Sequence, residues 1–163
     1  MRRLFLLLCA LVPCACRPAT EATPGARTVS RVVFHKSSGP VVPPWSEQYV
    51  ISTSGIQFRR TSEPGSRINV GTWDLLSSAG VPELLARLAV LDCSRIKEIL
   101  PDDTPEGGGT TSYLVEYGDG TRCSVYYRDG ITYSGAEELV GAIDGLIASL
   151  SLPEGASGLF VSP

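Results

Sequence analysis

The chain holds one histidine, one methionine and two tryptophans among 163 residues. A lone histidine restricts acid–base and metal chemistry, because a histidine-centred triad also needs a nucleophile and an orienting acid. His35 falls in a β-branched stretch (VSRVVFHK), where it reads as a strand residue and not as a catalyst. No HExxH, GxSxG, phosphate-loop, paired CxxC or dinucleotide-binding glycine pattern occurs. The zinc-peptidase, serine-hydrolase and nucleotide-binding signatures are therefore missing. Long apolar runs are missing too: the longest, residues 4–12, is nine residues, where a membrane-spanning helix needs about 20. Basic residues are outnumbered by acidic ones, 14 to 17. That balance argues against nucleic acid, which is held through a basic surface, and against electrostatic adhesion to anionic lipid. These absences point away from an enzyme. They leave no catalytic residue, no cofactor and no metal site to propose.

What is present begins at the N-terminus. Arg2 and Arg3 precede the apolar residues 4–12, and Pro13-Cys14-Ala15-Cys16 closes the stretch. A charged start, a short apolar centre and a small residue near the cut define a secretory signal. The segment resembles a bacterial lipoprotein signal, in which a cysteine after a small residue is acylated. The resemblance implies lipidation of Cys16, which follows Ala15, or alternatively of Cys14, which has Leu11 three residues before it. The other outcome is plain cleavage near Ala15 or Ala19 and a freely secreted product. Stable anchoring takes two lipid signals, which the diacylated cysteine of such proteins supplies. The expected location is extracytoplasmic: lipid-anchored at the cell membrane or outer membrane, otherwise periplasmic or secreted. Loss of Arg2 and Arg3 takes the net charge from −3 to −5.

After the signal, residues 1–16, the polar Pro- and Thr-rich residues 17–28 read as a flexible tether. Residues 29–150 are long enough for one domain with its own core, and residues 151–163 read as a loose tail. Residues 29–36 are a strand by composition. Residues 47–53 and 56–60 flank Ser54-Gly55, and a two-residue turn there pairs Thr53 with Ile56 and Ile51 with Phe58. Residues 67–74 are a weaker strand. Val81, Leu84, Leu85, Leu88 and Leu91 recur at helical spacing, which predicts a helix over residues 81–91. A short helical turn follows over residues 94–100. Residues 111–117 and 121–127 surround Gly118-Asp119-Gly120. A three-residue turn with Gly120 left-handed pairs Val115 with Cys123 and Tyr113 with Val125. Leu114, Glu116, Arg122, Ser124 and Tyr126 then face outward. A short strand over residues 131–133 precedes Ser134-Gly135-Ala136-Glu137, a capping-box pattern that opens a helix over residues 135–150. Gly141 and Gly145, one turn apart, would permit close approach to the sheet.

The expected architecture is α+β: a mainly antiparallel sheet of about five to six strands, with two helices packed on one face. Cys93, just past the first helix, and Cys123, on the apolar face of its strand, form a candidate disulfide in an exported protein. Asp102, Asp103 and Glu106 cluster in a Gly-rich loop but lack the spacing of a calcium loop. Asp119 and Asp129 are explained by turn chemistry, and Glu137 and Glu138 by the positive start of a helix. The most unusual segment is GPVVPPW, residues 39–45. Its Val41, Val42 and Trp45 are the candidate protein contact, because a proline-stiffened apolar loop loses little entropy on binding.

The layout is similar to a known family. VVFHKSSGP, an apolar helix, a Gly-rich loop, the Tyr-bearing TTSYLVEYGDGTRCSVYYRDG and a closing helix resemble emfourin-like domains over residues 29–150. Those are small bacterial α+β proteins known as inhibitors of thermolysin-type metalloproteases. The same layout is similar to lipoprotein families of unknown function. SSGP at residues 37–40 departs from the family's glycine-rich stretch, and the insert over residues 56–74 is longer. The resemblance implies no specific inhibitory residue. The sequence therefore points to an exported, lipid-anchored binding protein of the cell envelope. Its partners would be the membrane through the N-terminal lipid, and another envelope protein or a protease.

Overall fold

A computed structural model of the chain describes residues 25–75, 80–103 and 107–159. Cys9, Cys14 and Cys16, on which the expected signal and lipidation fall, and Glu106 lie outside the described residues. The architecture is α+β. β1 (Val29–Ser37), β2 (Trp45–Ser52), β3 (Gly55–Ser62) and β4 (Gly71–Leu75) are followed by α1 (Gly80–Ala89) and a 3₁₀ turn (Cys93–Arg95). β5 (Lys97–Ile99), β6 (Thr110–Tyr117), β7 (Arg122–Tyr127), β8 (Thr132–Ser134) and α2 (Glu137–Ser149) complete the chain. Six strands form one sheet in the order β4-β3-β2-β1-β6-β7, and β5 pairs with β8 in a second, two-stranded sheet. Every ladder is antiparallel.

Period-two alternation decides which residues meet the helices. Val32, Ile51, Phe58, Val115 and Val125 are almost completely buried on one face, against Leu84 and Leu88 of α1 and Leu139 and Ile143 of α2. An unbroken aromatic chain crosses this core. Trp73, Phe58, Tyr49, Phe34, Tyr113, Tyr127 and Tyr133 touch in sequence at centroid distances of 4.6 to 6.1 Å. Trp73, Phe58, Tyr49, Phe34 and Tyr113 are direct cross-strand partners. Such pairs contribute about 0.5–1.5 kcal/mol each beyond their burial.

The second hairpin forms as its sequence predicts. Val115 opposes Cys123 and Tyr113 opposes Val125, and Gly120 sits at φ +83°. The first hairpin is corrected by two residues. Ile51 opposes Ile56 and Tyr49 opposes Phe58, so the turn is Thr53-Ser54 and not Ser54-Gly55. Gly55 takes φ +139° at the start of β3, which places the permissive backbone just after the turn. Because the slip is two residues, the same side chains still face the core.

Three further expectations change. The helical turn over residues 94–100 is a 3₁₀ turn capped by Asp92, which accepts from the Ser94 amide at 3.1 Å, and it is followed by a strand. The capping box does not form: Ser134 is committed to β8 opposite Lys97, Ala136 occupies the cap, and no side chain caps the helix. Gly135, at φ +73°, turns the chain there and lies against the Arg95 carbonyl, 2.6 Å from where a Cβ would stand. Nor do Gly141 and Gly145 approach the sheet; a Cβ on either would meet nothing within 4 Å.

Both presumed loose ends of the domain are docked where they are described. Arg27 donates its amide to the Ala89 carbonyl at 2.9 Å and its guanidinium to the Leu91 carbonyl at 2.6 Å, and lies 3.6 Å over the Tyr117 ring. At the other end, Ala156 is fully buried. Arg60, itself 4% exposed, donates to the Ala156 carbonyl at 3.1 Å and the Gly158 carbonyl at 2.7 Å, and pairs with Glu47 at 2.7 Å. One buried cation thus gathers the segment after α2 onto β3.

Candidate functional site

Two surfaces stand apart from the packing. The first is the β1–β2 connection. Ser38 and Trp45 close its base: the Ser38 amide donates to the Trp45 carbonyl, and the Trp45 amide donates to Ser38 Oγ, both at 3.0 Å. Ser62 Oγ donates to the Pro44 carbonyl at 2.6 Å. Gly39, at φ +69°, fits flush against the Gly108 backbone, so that a Cβ there would overlap the Gly108 carbonyl. Gly109 lies in the same way against the Ser37 carbonyl. The Val42–Pro43 peptide is cis. On this pinned base Val41 is 50% and Val42 89% exposed. Trp45 does not join them at the tip; it begins β2 opposite Ser62 and is partly buried.

The loop's position along the sheet is informative. β1 runs from Val29, beside the docked Arg27, to Ser37 at the loop. Eight steps of strand rise separate those ends by about 27 Å. The exposed valines therefore stand at the opposite end of the sheet from the docked Arg27.

The second surface is the sheet face away from the helices. Side chains there fall into rows set by the ladder register. Thr72, Arg59, Gln48, His35, Ser112 and Tyr126 are successive partners across the whole sheet. One row over, Val50, Val33 and Leu114 form an apolar strip. Toward the β1–β2 loop, Ser46 and Thr61 share a hydroxyl bond at 2.8 Å, as do Ser37 and Thr110 at 2.9 Å. In the other direction Glu116 pairs with Arg122 at 3.0 Å and Arg31 at 3.9 Å. His35 borders a shallow depression of 240 Å³ with Ser46, Gln48, Arg59 and Thr61. No carboxylate or thiol lines it, so no acid orients the imidazole, and the two hydroxyls that line it, Ser46 and Thr61, are bonded to each other.

Comparison with known protein families, with curated proteins and with solved structures yields no significant match for this chain.

The remaining sequence candidates have local explanations. Cys93 and Cys123 stand at disulfide distance, with Cα atoms 5.6 Å apart across 30 residues of chain. The Tyr117 hydroxyl beside Cys93 donates to the Leu88 carbonyl at 3.0 Å. Asp119 accepts from the Thr121 amide and hydroxyl at 2.9 and 2.7 Å; those bonds lower its pKa. Asp129 takes φ +48° in a tight turn. Asp102 and Asp103 are exposed, and no cluster of three metal-ligating side chains occurs among the described residues. Burial and hydrogen bonding to Asp144 push the Tyr113 phenol well above its ordinary range, a core effect away from either surface. The polar row was not foreseeable strand by strand. Its members are separated in sequence and meet only through the strand order.

Proposed function

We propose that the chain is an exported, lipid-anchored protein of the cell envelope that acts by binding another protein through the Val41–Val42 loop tip. The observation that carries this reading is the loop itself: two exposed valines on a base held by a pair of Ser38–Trp45 hydrogen bonds, one between backbones and one to the Ser38 hydroxyl. A loop already fixed before binding loses little entropy on association. The signal ending at Cys14 and Cys16 supports the anchor. The placement of the loop at the far end of β1 from the docked Arg27 suits a protein that reaches away from a membrane. Acylation is tested by labelling the expressed full chain with a fatty-acid probe. Label lost in Cys16→Ala, or alternatively in Cys14→Ala, supports the anchor; label in neither parent nor variant refutes it.

The emfourin-like layout favours a second reading, inhibition of a thermolysin-type metalloprotease. Protease inhibitors also present a pre-formed loop that moves little on binding. The two readings separate in one assay. Inhibition abolished by Val42→Asp supports the inhibitor; no inhibition by the parent chain removes it and leaves the envelope partner.

A further inference from the structure

Two adjacent arginines on β3 are used in opposite ways. Arg60 points to the helix side, where Glu47 and three backbone carbonyls saturate it. Arg59 points to the uncovered face and makes no ion pair or hydrogen bond among the described residues. Around it the register assembles neutral side chains that can donate: His35 and Gln48 in its own row, and the mutually bonded Ser46 and Thr61 hydroxyls beside them, all lining the 240 Å³ depression. The carboxylates nearest in register are both turned to other work. Glu47 lies on the opposite face with Arg60, and Asp74 accepts from Gln57 at 3.0 Å. A guanidinium presents a planar fork that matches a carboxylate or phosphate in bidentate fashion. An amide, an imidazole and hydroxyls can satisfy the remaining lone pairs.

We infer that this depression on β1, β2 and β3 binds an oxyanion group, a carboxylate or a phosphate, presented by a small molecule or by a sugar. The site is independent of the Val41–Val42 loop and of the protein-binding reading. The positive Arg59 supplies the charge and a two-pronged contact, Gln48 and His35 flank the anion, and the Ser46–Thr61 pair bounds it toward the loop. The flat polar row running on through Ser112 to Tyr126 leaves room for the body of a ligand to lie along the sheet.

The test is a titration of the ¹⁵N-labelled full chain in detergent with inorganic phosphate, acetate and glucuronate, each against sodium chloride at equal ionic strength. Saturable shifts confined to His35, Gln48, Arg59 and their neighbours support the site with any of the three. Tighter binding of glucuronate than acetate assigns a sugar-borne carboxylate; tightest binding of phosphate assigns a phosphoryl group. Arg59→Gln should weaken binding about tenfold, the loss expected for one charge-assisted contact. His35→Gln should weaken it less, and the exposed Arg67→Gln should leave it unchanged. Shifts matched by sodium chloride, or equal weakening by Arg59→Gln and Arg67→Gln, would overturn the inference.

Discussion

Reducing the Cys93–Cys123 pair should lower the stability of the whole domain and loosen one end of it in particular. The pair spans 30 residues, and closing a loop of that length stabilises the fold by about 3.6 kcal/mol in the chain-entropy account. For a domain of this size that corresponds to a fall of about 10–15 °C in thermal midpoint. The effect should not be uniform. Cys93 starts the 3₁₀ turn after α1, and the same neighbourhood holds Arg27 against the Ala89 and Leu91 carbonyls. Hydrogen exchange at Arg27 and at residues 91–96 should therefore rise before exchange in the β1–β6 ladder. Calorimetry and exchange on the oxidised and reduced full chain read both effects. Cys93→Ala/Cys123→Ala should behave like the reduced form. The reasoning fails if oxidised and reduced protein melt together, or if alkylation of the denatured, unreduced chain finds both thiols free.

Arg60→Met removes the cation shared by Glu47 and three backbone carbonyls, and should cost about 3 kcal/mol and release residues 153–159 to exchange; an unchanged denaturation midpoint would count against the clamp. Gly39→Ala forces a side chain into left-handed backbone and onto the Gly108 carbonyl, and should cost about 1–3 kcal/mol, seen as lost exchange protection at the Ser38 and Trp45 amides. Burial raises the Tyr49 phenol to about 12, and burial with Asp144 raises Tyr113 further. The unfolded chain then ionises first, so stability is full below about pH 10 and falls as pH rises toward the folded values. Tyr49→Phe and Tyr113→Phe should flatten that fall in denaturant titrations; an unchanged slope would contradict it.

Much of the fold was legible because local signals and burial agreed. The Gly118–Gly120 turn, flanked by alternating Tyr and Val, admits one register that keeps Tyr113, Val115, Cys123 and Val125 together, and it forms. The leucine spacing of α1 likewise matches its buried face, and α2 forms within the residues 135–150 expected to be helical. Errors came where tertiary pairing outweighed a local pattern. Ser134 has the chemistry of a cap, yet its pairing with Lys97 takes it first. Lys97–Ile99 is too short and too charged to announce itself as a strand and exists through β8. The docking of residues 151–159 rests on Arg60 and Asn69; alternation puts Arg60 on the face of Ile56 and Phe58, but a charge at that position does not reveal that it stays buried or which distant carbonyls it meets. For the candidate sites, the exposed Val41 and Val42 were readable from proline-stiffened sequence, whereas Trp45 was drawn into β2. The Arg59–His35 row required the strand order, with β1 between β2 and β6, which no single segment encodes.

Protein contact at the Val41–Val42 tip is the proposed mode of action of this chain. Its most direct test is a photo-crosslinking amino acid placed at position 42 of the full chain in its native membranes. Position 70, where Val70 is 54% exposed, serves as an equally apolar control. Contact at the tip should give a discrete adduct from position 42 that is absent from position 70 and is abolished by a further Val41→Asp change. Identical adducts from both positions, or none from position 42, would contradict it.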